Sequence, residues 1–221
     1  MFGSIARRYD LMNTAMTAGR HHHWRRLAVA RTGLQTGGRA LDVCCGTGDL
    51  AFALYDAVGP AGEVTGIDFS QRMLEVANRK ARTRDRPVNF RWGDATALEF
   101  EDDRFDAVTV GFGVRNIKDI GKAFSEMARV VRPGGRVVCL EITRPARQPF
   151  KGFFGIWFDR AIPVAGSIIS RNRSAYSYLP SSVRRFPPAP ELAAIMTDAG
   201  LGDVSFRLLA GSIIALHWGK V

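Results

Sequence analysis

Residues 39–143 constrain the fold most, because short apolar runs alternate along them with helical patterns. The apolar runs predict strands at residues 40–45, 63–67, 88–92, 105–111 and 136–140. The helical patterns lie at residues 48–58, 70–82 and 119–131, and Ser70 is the expected N-cap of the second helix. Strands that alternate with helices at this spacing indicate βαβ units and a buried parallel sheet.

The flanking segments have other patterns. A stretch rich in Phe, Arg, Pro and Ser at residues 144–186 shows no clean period, so we expect an irregular excursion there. The other expected elements are helices at residues 6–16, 22–32 and 190–199 and a closing hairpin of residues 204–209 and 213–218. A chain of 221 residues suits one domain. Its expected parts are a helical cap (1–38), a core (39–143), the excursion (144–189) and a closing helix and hairpin (190–221).

The positive charge of the chain, +10 in total, is concentrated in the flanks. Residues 1–39 hold seven arginines and one aspartate, and residues 144–190 hold eight basic residues and one aspartate. Basic segments attract anions, either lipid headgroups or nucleic acid. Ordinary solvated arginines explain the same composition, so the charge leaves these alternatives open.

The sequence predicts a cytoplasmic location. No secretory signal is visible in residues 1–10, and residues 150–170, which come nearest to a membrane-spanning stretch, are interrupted by charges and a proline. The three cysteines fall in apolar runs, which indicates buried free thiols in a reducing compartment.

A glycine-rich turn, CCGTGDLA, follows the first predicted strand. Glycines at such a turn let the chain reverse tightly and let a ligand approach the backbone. The order Gly46, Gly48, Ala51 also fits the dinucleotide fingerprint, so this turn alone does not exclude a nicotinamide cofactor.

Aspartates at the ends of the next two strands are more informative. An ionised carboxylate only accepts hydrogen bonds, so Asp68 suits a pair of ribose hydroxyls and Asp94 suits the exocyclic amine of adenine. Acidic surroundings favour a cationic sulfonium over a pyrophosphate. With Asp42, Gly46 and Gly48, these residues resemble those of the class I S-adenosylmethionine-dependent methyltransferases.

The sequence further resembles, nearly end to end, the UbiE-like family of menaquinone/ubiquinone biosynthesis C-methyltransferases. The segments that carry this resemblance are FGSIARRYDLMN (2–13), GRHHHWRR (19–26), LDVCCGTGD (41–49), GIDFSQRML (66–74), FDAVTVGFGVRN (105–116), RPGGRVVCLE (132–141) and YLPSSVRRFP (178–187). The resemblance implies a class I α/β fold with a Rossmann-like, mostly parallel seven-stranded sheet. Helices are then expected on both faces of the sheet, with an antiparallel hairpin at the carboxyl-terminal end.

The resemblance also implies S-adenosylmethionine as cofactor, with S-adenosylhomocysteine as its product. By motif, Thr47, Asp68, Asp94 and Ala95 become cofactor residues, beside Asp42, Gly46 and Gly48 of the turn. Relatives often carry serine at a further contact position, where this chain has Gly111 and offers only its backbone.

The implied reaction is methylation of a ring carbon of a polyprenylated quinol. Arg115 and Asn116 follow the fourth strand, where Arg115 is expected to stabilise a phenolate and Asn116 to orient a hydroxyl or a water. Tyr9 and His21 belong to a segment that covers this edge in the family. The alternatives are that Arg115 forms a structural ion pair with Asp119 and that Tyr9 packs in the core.

Demethylmenaquinol is the favoured acceptor, and a methoxy-polyprenyl-benzoquinol is the alternative. A nucleic-acid methyltransferase and an inactive cofactor-binding protein are competing hypotheses, although no appended RNA-binding motif is present and no nucleic-acid partner is expected. The apolar residues of 150–170 suit a wall for a prenyl tail and a transient contact with an anionic membrane, and they equally suit a lid that packs on the core. Whether the chain forms a homo-oligomer stays open. No metal site is expected, because the consecutive histidines His21–His23 point about 100° apart on a helix.

Overall fold

The computed structural model describes residues 19–145 and 181–221, together with Thr14 and Thr17. The helices are α1 (Arg20–Thr32), α2 (Asp49–Val58), α3 (Gln71–Arg84), α4 (Ile120–Arg129) and α5 (Ala189–Asp198), with a 3₁₀ turn at Val114–Asn116. The strands are β1 (Arg39–Val43), β2 (Glu63–Asp68), β3 (Asn89–Trp92), β4 (Phe105–Gly111), β5 (Val131–Ile142), β6 (Gly202–Leu209) and β7 (Ile214–Lys220).

The seven strands form one sheet in the order β3-β2-β1-β4-β5-β7-β6. The first five strands are parallel, whereas β7 runs antiparallel to both β5 and β6. The predicted fold class, including the closing hairpin, is therefore confirmed. The strand order reverses between β1 and β4, and open α/β sheets bind ligands at such a switch point, outside the carboxyl ends of the strands.

Helices cover both faces of the sheet. Successive strand residues point to opposite faces, so Leu41 and Val43 pack in the core under α4 and α5, whereas Ala40 packs with α2 and α3. Burial on both faces explains why the central strands read as continuous apolar runs. On the α2 side, Trp24 and Ala28 of α1 join a cluster with residues of β5 and β7, which anchors α1 beside the sheet.

The end of the predicted helix at 119–131 was wrong. The helix ends at Arg129, and Val131 begins β5, which contains the Pro133-Gly134-Gly135 segment. The register of β5 against β4 shifts between Phe105 and Ala107 at this point. A Cβ on Gly135 would lie 2.5 Å from Cγ1 of Val131, so the irregular strand requires glycine there.

The predicted cap at Ser70 is correct in position only. Ser70 is the N-cap residue of α3, but its side chain makes no capping hydrogen bond, and its amide donates instead to Asp68 at 2.8 Å. Asp119 does cap α4, accepting from the amide of Lys122 at 2.9 Å. Local sequence thus indicated both helix starts, although only Asp119 uses its side chain.

Several predicted features lie outside the described residues. These are most of the helix at 6–16, Tyr9, and the apolar stretch 150–170. Among the residues that are described, no helix is long and apolar enough to cross a membrane.

Candidate active site

A cavity of about 580 Å³ lies at the carboxyl ends of β1, β2 and β4, at the switch point of the sheet. It brings together most of the residues predicted to bind a cofactor, namely Asp42, Gly46, Thr47, Asp68, Asp94, Ala95 and Gly111. Asn116 lies on the same wall. Separate strand ends therefore converge on one cavity, although the contacts of these residues with a cofactor stay predictions.

Gly48 does not line the cavity, and its role in the turn is conformational. Its φ of 85° lies in the left-handed region, and a Cβ there would come within 2.5 Å of the ring of Phe90. Gly46 also has a positive φ, 57°, but faces the cavity with open space where a Cβ would stand. One glycine thus shapes the turn and the other leaves room for a ligand.

Asp68 is held by backbone amides on both of its oxygens. Oδ2 accepts from the amide of Gly46 and Oδ1 from the amide of Ser70, each at 2.8 Å. Burial raises the pKa of Asp68, and the two amides partly offset that rise. Each carboxylate oxygen has a second lone pair, so the fixed carboxylate retains the capacity to accept from two ribose hydroxyls.

Asp94 is fixed in a similar way at the neighbouring strand end. Its Oδ1 accepts from the amide and the hydroxyl of Thr96, both at 2.8 Å, and these bonds lower the pKa of Asp94. Beside it, Phe69 is 71% exposed, lines the cavity, and lies 5.5 Å from the ring of Trp92. A fixed acceptor beside an exposed aromatic ring suits the edge and the face of a purine.

Asp42 lies at the bottom of the cavity and is 1% exposed. Its Oδ1 accepts from Thr109 at 2.8 Å, whereas Oδ2 has no hydrogen-bond partner among the described residues. Burial raises the pKa of Asp42 to about 7, against the opposing effects of Thr109, Arg25 and the nearby backbone of Ala51. The cavity therefore contains a buried carboxylate with unused acceptor capacity.

A charged network at the cavity wall was not predicted. Asp49, the first residue of α2, receives Nζ of Lys80 at 2.8 Å on one oxygen and has Nη1 of Arg25 at 3.1 Å from the other. Lys80 also donates to the hydroxyl of Thr47 at 3.1 Å. Burial alone would raise the pKa of Asp49, but Arg25 and Lys80 outweigh it, so this pKa is lowered. The network ties α1, α2 and α3 to the glycine turn.

The opposite wall contains strained backbone. Cys44 and Phe112 both have positive φ, 54° and 59°, at the ends of the adjacent strands β1 and β4. A bulky residue in this region is uncommon, and such strain concentrates at functional sites. A Cβ on Gly113 would collide with the Cβ of Cys44, so the turn that carries Phe112 requires glycine at the next position.

Arg115 is paired with Glu141, not with Asp119, so the alternative expected from the sequence named the wrong partner. Nη1 of Arg115 lies 2.6 Å from Oε1 of Glu141, and the two side chains are 7% and 1% exposed. The same Nη1 donates to the carbonyl of Phe112. Arg115 is not among the described residues that line the cavity, and its expected stabilisation of a phenolate stays a prediction.

His21, a further candidate, lies away from the cavity wall. His21 is 2% exposed, and its Nδ1 is 2.7 Å from the hydroxyl of Thr17. It does not line the cavity, and Tyr9 lies outside the described residues. In the part of the chain that the structure describes, no group of three His, Cys, Asp or Glu side chains could hold a metal ion.

The fold and the cavity define an S-adenosylmethionine-dependent methyltransferase of class I. A methyltransferase of this type from Aquifex aeolicus superposes with a TM-score of 0.66 at 18% identity, covering 89% of each chain. The [4+2]-cyclase SpnF superposes with a TM-score of 0.63 at 26% identity, covering 84% of this chain and 59% of its own.

The chain belongs to the ubiE/COQ5 methyltransferase family, whose model matches residues 1–221. It is 42% identical over 219 residues to the demethylmenaquinone methyltransferase of Staphylococcus aureus (strain JH9). That match covers 99% of this chain and 90% of the relative. The cofactor of the enzyme is thus S-adenosylmethionine, and the cavity fits it: the acidic groups suit a cation, and Asp42 offers an acceptor that the protein does not satisfy.

Proposed function

We propose that this enzyme methylates a ring carbon of demethylmenaquinol to give menaquinol. The observation that carries the proposal is the 42% identity over 99% of the chain to a protein named demethylmenaquinone methyltransferase. The cavity supports it, since its wall continues from the predicted cofactor residues to Gly113, Asn116 and Ile117. This second wall is where an acceptor would meet the methyl group.

The chemistry requires an aligned and activated acceptor. Bound S-adenosylmethionine supplies a methyl group on a positively charged sulfur. The ring carbon of the acceptor becomes nucleophilic when a hydroxyl ortho or para to it ionises, and the ring later loses a proton from that carbon. Holding the two reactants in line contributes about 7–11 kcal/mol in ideal cases. The protein must therefore orient the ring and favour the ionised hydroxyl.

Asn116 and Arg115 take different parts in this proposal. Asn116 lies on the cavity wall and orients a quinol hydroxyl or a water through its amide. Arg115 is held by Glu141 and binds the carbonyl of Phe112, so it positions the turn that carries Phe112 and Asn116. Arg115 thus acts through the shape of the acceptor wall.

Purified enzyme with matched acceptors tests the reaction. The single-turnover rate of methylation should be higher for a demethylnaphthoquinol than for a methoxy-polyprenyl-benzoquinol. Asp68→Ala, which removes a side chain predicted to bind the cofactor, should lower both rates. In cells that lack the protein, mass analysis should find a demethylated naphthoquinone. A demethylated benzoquinone in those cells, or methyl transfer to RNA alone, contradicts the proposal.

We further propose that the enzyme meets its lipid-soluble acceptor at an anionic membrane surface, on the cytoplasmic side. The basic segment 144–190 supports this, and three of its arginines, Arg144, Arg184 and Arg185, are exposed in the structure. Arg144 donates to the carbonyl of Phe186 at 3.4 Å, so these three arginines are neighbours. Each basic residue near such a surface contributes about 1 kcal/mol.

Vesicle sedimentation tests the membrane contact. Binding to vesicles with anionic lipid should exceed binding to neutral vesicles and should weaken with salt. The double variant Arg184→Gln, Arg185→Gln should bind less, whereas Arg79→Gln, Arg82→Gln on the exposed side of α3 removes the same charge elsewhere and should not. Equal binding to neutral and anionic vesicles rules out this electrostatic contact.

A further inference from the structure

The proposed reaction needs a group that favours the ionised form of a quinol hydroxyl, and a nearby cation does so. Arg115 is not among the described residues that line the cavity, and its guanidinium is paired with Glu141 at 2.6 Å. The residues of the acceptor wall are Phe112, Gly113, Asn116 and Ile117, and none of them is charged. A charge that stabilises the phenolate therefore has to come from a residue beside this wall.

Two cations line the cavity in the part of the chain that the structure describes, Arg25 and Lys118. Arg25 is 8% exposed and pairs with Asp49 at 3.1 Å, on the side of the cavity formed by α1 and α2. Lys118 is exposed and follows Ile117 directly in the chain. Of the two cations, Lys118 is the one next to the acceptor wall.

The backbone at Ile117 brings Asn116 and Lys118 to the same side. Ile117 follows the 3₁₀ turn in an extended conformation, with φ -83° and ψ 134°, and packs against the core. Asn116 and Lys118, on either side of it, are both exposed and both line the cavity. Residues that flank an extended residue point the same way, so the amide and the ammonium approach an acceptor together.

The carboxylates around this turn are occupied by other groups. Asp119, the next residue, caps α4 by accepting from the amide of Lys122 at 2.9 Å. Oδ1 of Asp94 accepts from the amide and the hydroxyl of Thr96, and the charge of Lys122 also acts on Asp94. Lys118 itself forms no ion pair or side-chain hydrogen bond within the described residues. Its ammonium thus retains three donors for a molecule in the cavity.

We propose that Lys118 is a catalytic residue whose ammonium contacts the quinol oxygen that ionises during methyl transfer. The hydroxyl loses its proton to water, and Lys118 holds the resulting anion. The ring carbon then gains the methyl group, while the electron pair of the broken methyl–sulfur bond stays on sulfur. Finally the ring carbon loses its proton and the oxygen regains one, which restores the quinol. This inference rests on the proposed quinol acceptor.

The single-turnover rate as a function of pH tests the assignment. The native rate should rise with pH as the bound quinol ionises. Lys118→Met should shift this rise to higher pH, because a hydroxyl without a nearby cation has a higher pKa. Below the rise the variant should be slower by about 10-fold, less than the roughly 10²–10³-fold of a donor in a dry site, because Lys118 is exposed. Lys118→Arg keeps the charge and should restore most of the rate.

Affinity for S-adenosylhomocysteine and the melting temperature should stay native in both variants. Lys122→Met is the matched control, because it removes the same charge from the first turn of α4, where Lys122 does not line the cavity. This control should keep the native pH profile. The assignment is overturned if Lys118→Met also keeps that profile, if it loses rate equally at every pH, or if Lys122→Met shows the same shift.

The failure of this assignment can be distinguished from the failure of the proposed function. Both the naphthoquinol and the benzoquinol must ionise, so the pH profiles are measured with whichever quinol the native enzyme methylates. A benzoquinol acceptor would contradict the proposed function without changing the result expected for Lys118→Met.

Discussion

The cavity has two walls that handle charge in opposite ways. On the cofactor wall, formed by Asp42, Asp68 and Asp94, each carboxylate lines the cavity and is held in place by hydrogen bonds from the protein. On the proposed acceptor wall, formed by Phe112, Gly113, Asn116 and Ile117, the charges of Arg115 and Glu141 behind the wall are turned toward each other. The cofactor wall thus presents bonding groups, whereas the acceptor wall presents a shape.

The difference has a physical reason. A charged, hydrophilic cofactor is recognised by fixed polar groups, whose strength grows in a buried site. A prenylated quinol has few polar atoms, so its site must exclude water and fix an orientation instead. The strained backbone at Phe112 and the buried ion pair of Arg115 with Glu141 hold the acceptor wall in one conformation.

The largest effect on stability is expected from a substitution that disrupts the acceptor wall. Glu141→Gln should lower the free energy of unfolding by about 3–5 kcal/mol, because it breaks the buried ion pair with Arg115. Urea denaturation measures this change. Asp203→Asn removes one partner of an exposed ion pair, with Lys220 at 2.8 Å, and should leave the stability nearly unchanged.

The double variant Glu141→Leu, Arg115→Met sharpens the comparison. Replacing a buried ion pair by apolar residues is often neutral, so most of the lost stability should return. If the wall acts through shape, the refolded double variant should keep much of its single-turnover methylation. If the double variant is stable but transfers no methyl group, the result would indicate that Arg115 stabilises a phenolate.

A smaller effect is expected on the cofactor wall, at Asp42. The folded pKa of about 7 exceeds the ordinary value of 3.8, so the folded state binds the proton more tightly than the unfolded state. Asp42 therefore costs stability progressively as the pH rises from about 4 to about 7, and the full cost applies above pH 7. Asp42→Asn should accordingly stabilise the cofactor-free enzyme more at pH 8 than at pH 5, by about 2 kcal/mol.

Urea denaturation of both proteins at the two pH values checks this sign. The same variant should bind S-adenosylhomocysteine more weakly at pH 8, because Asn removes a carboxylate charge from the predicted cofactor site. A variant that is less stable at pH 8 than the native enzyme would show that Asp42 is satisfied within the protein.

Asp68→Ala should weaken binding of S-adenosylhomocysteine by about 1.5–3 kcal/mol, since it removes a fixed charge-assisted acceptor. Calorimetric titration measures the loss. Asp56→Ala, at an exposed ion pair with Arg86 on the far end of α2, serves as a control that should bind normally. Unchanged affinity in Asp68→Ala would mean that the ribose is held elsewhere.

The cofactor wall was predictable because its residues follow local patterns. The alternation of strands and helices indicated a parallel sheet, and parallel strands bring their carboxyl ends to one edge. Asp68 and Asp94 then had to lie close together, which the cavity bears out. The predicted cofactor contact of Gly48 stays a prediction, since a glycine needed for φ looks the same in sequence as one that a ligand approaches.

The acceptor wall and the network of Arg25, Asp49 and Lys80 depend on contacts that sequence spacing does not reveal. Glu141 lies on β5, 26 positions from Arg115, and only the pairing of β4 with β5 brings them together. Asp119 was the nearer carboxylate in sequence, but its side chain caps α4. Arg25 could not be placed without knowing which side of α1 packs on the sheet, since three histidines and another arginine surround it in sequence.

The smallest effect on cofactor affinity is expected at Phe69, an uncharged residue of the cofactor wall. The ring is 71% exposed and lines the cavity beside Asp68, so it contributes little to the stability of the cofactor-free protein. Stacking of an aromatic ring on a base contributes about 1–3 kcal/mol, and an exposed ring should fall at the lower end of that range. Phe69→Ala should therefore weaken binding of S-adenosylhomocysteine by about 1 kcal/mol and leave the melting temperature nearly unchanged.

Phe206→Ala is the matched control, because Phe206 is an exposed aromatic residue on the edge strand β6, away from the cavity. Phe206→Ala should leave the affinity for S-adenosylhomocysteine unchanged. A comparison of S-adenosylhomocysteine with adenosine, which lacks the homocysteine part, sharpens the result. If Phe69 stacks on the base, Phe69→Ala should lower the affinity for both ligands by the same factor. If Phe69→Ala weakens only the larger ligand, Phe69 contacts the amino-acid end, and the purine face is covered by another residue.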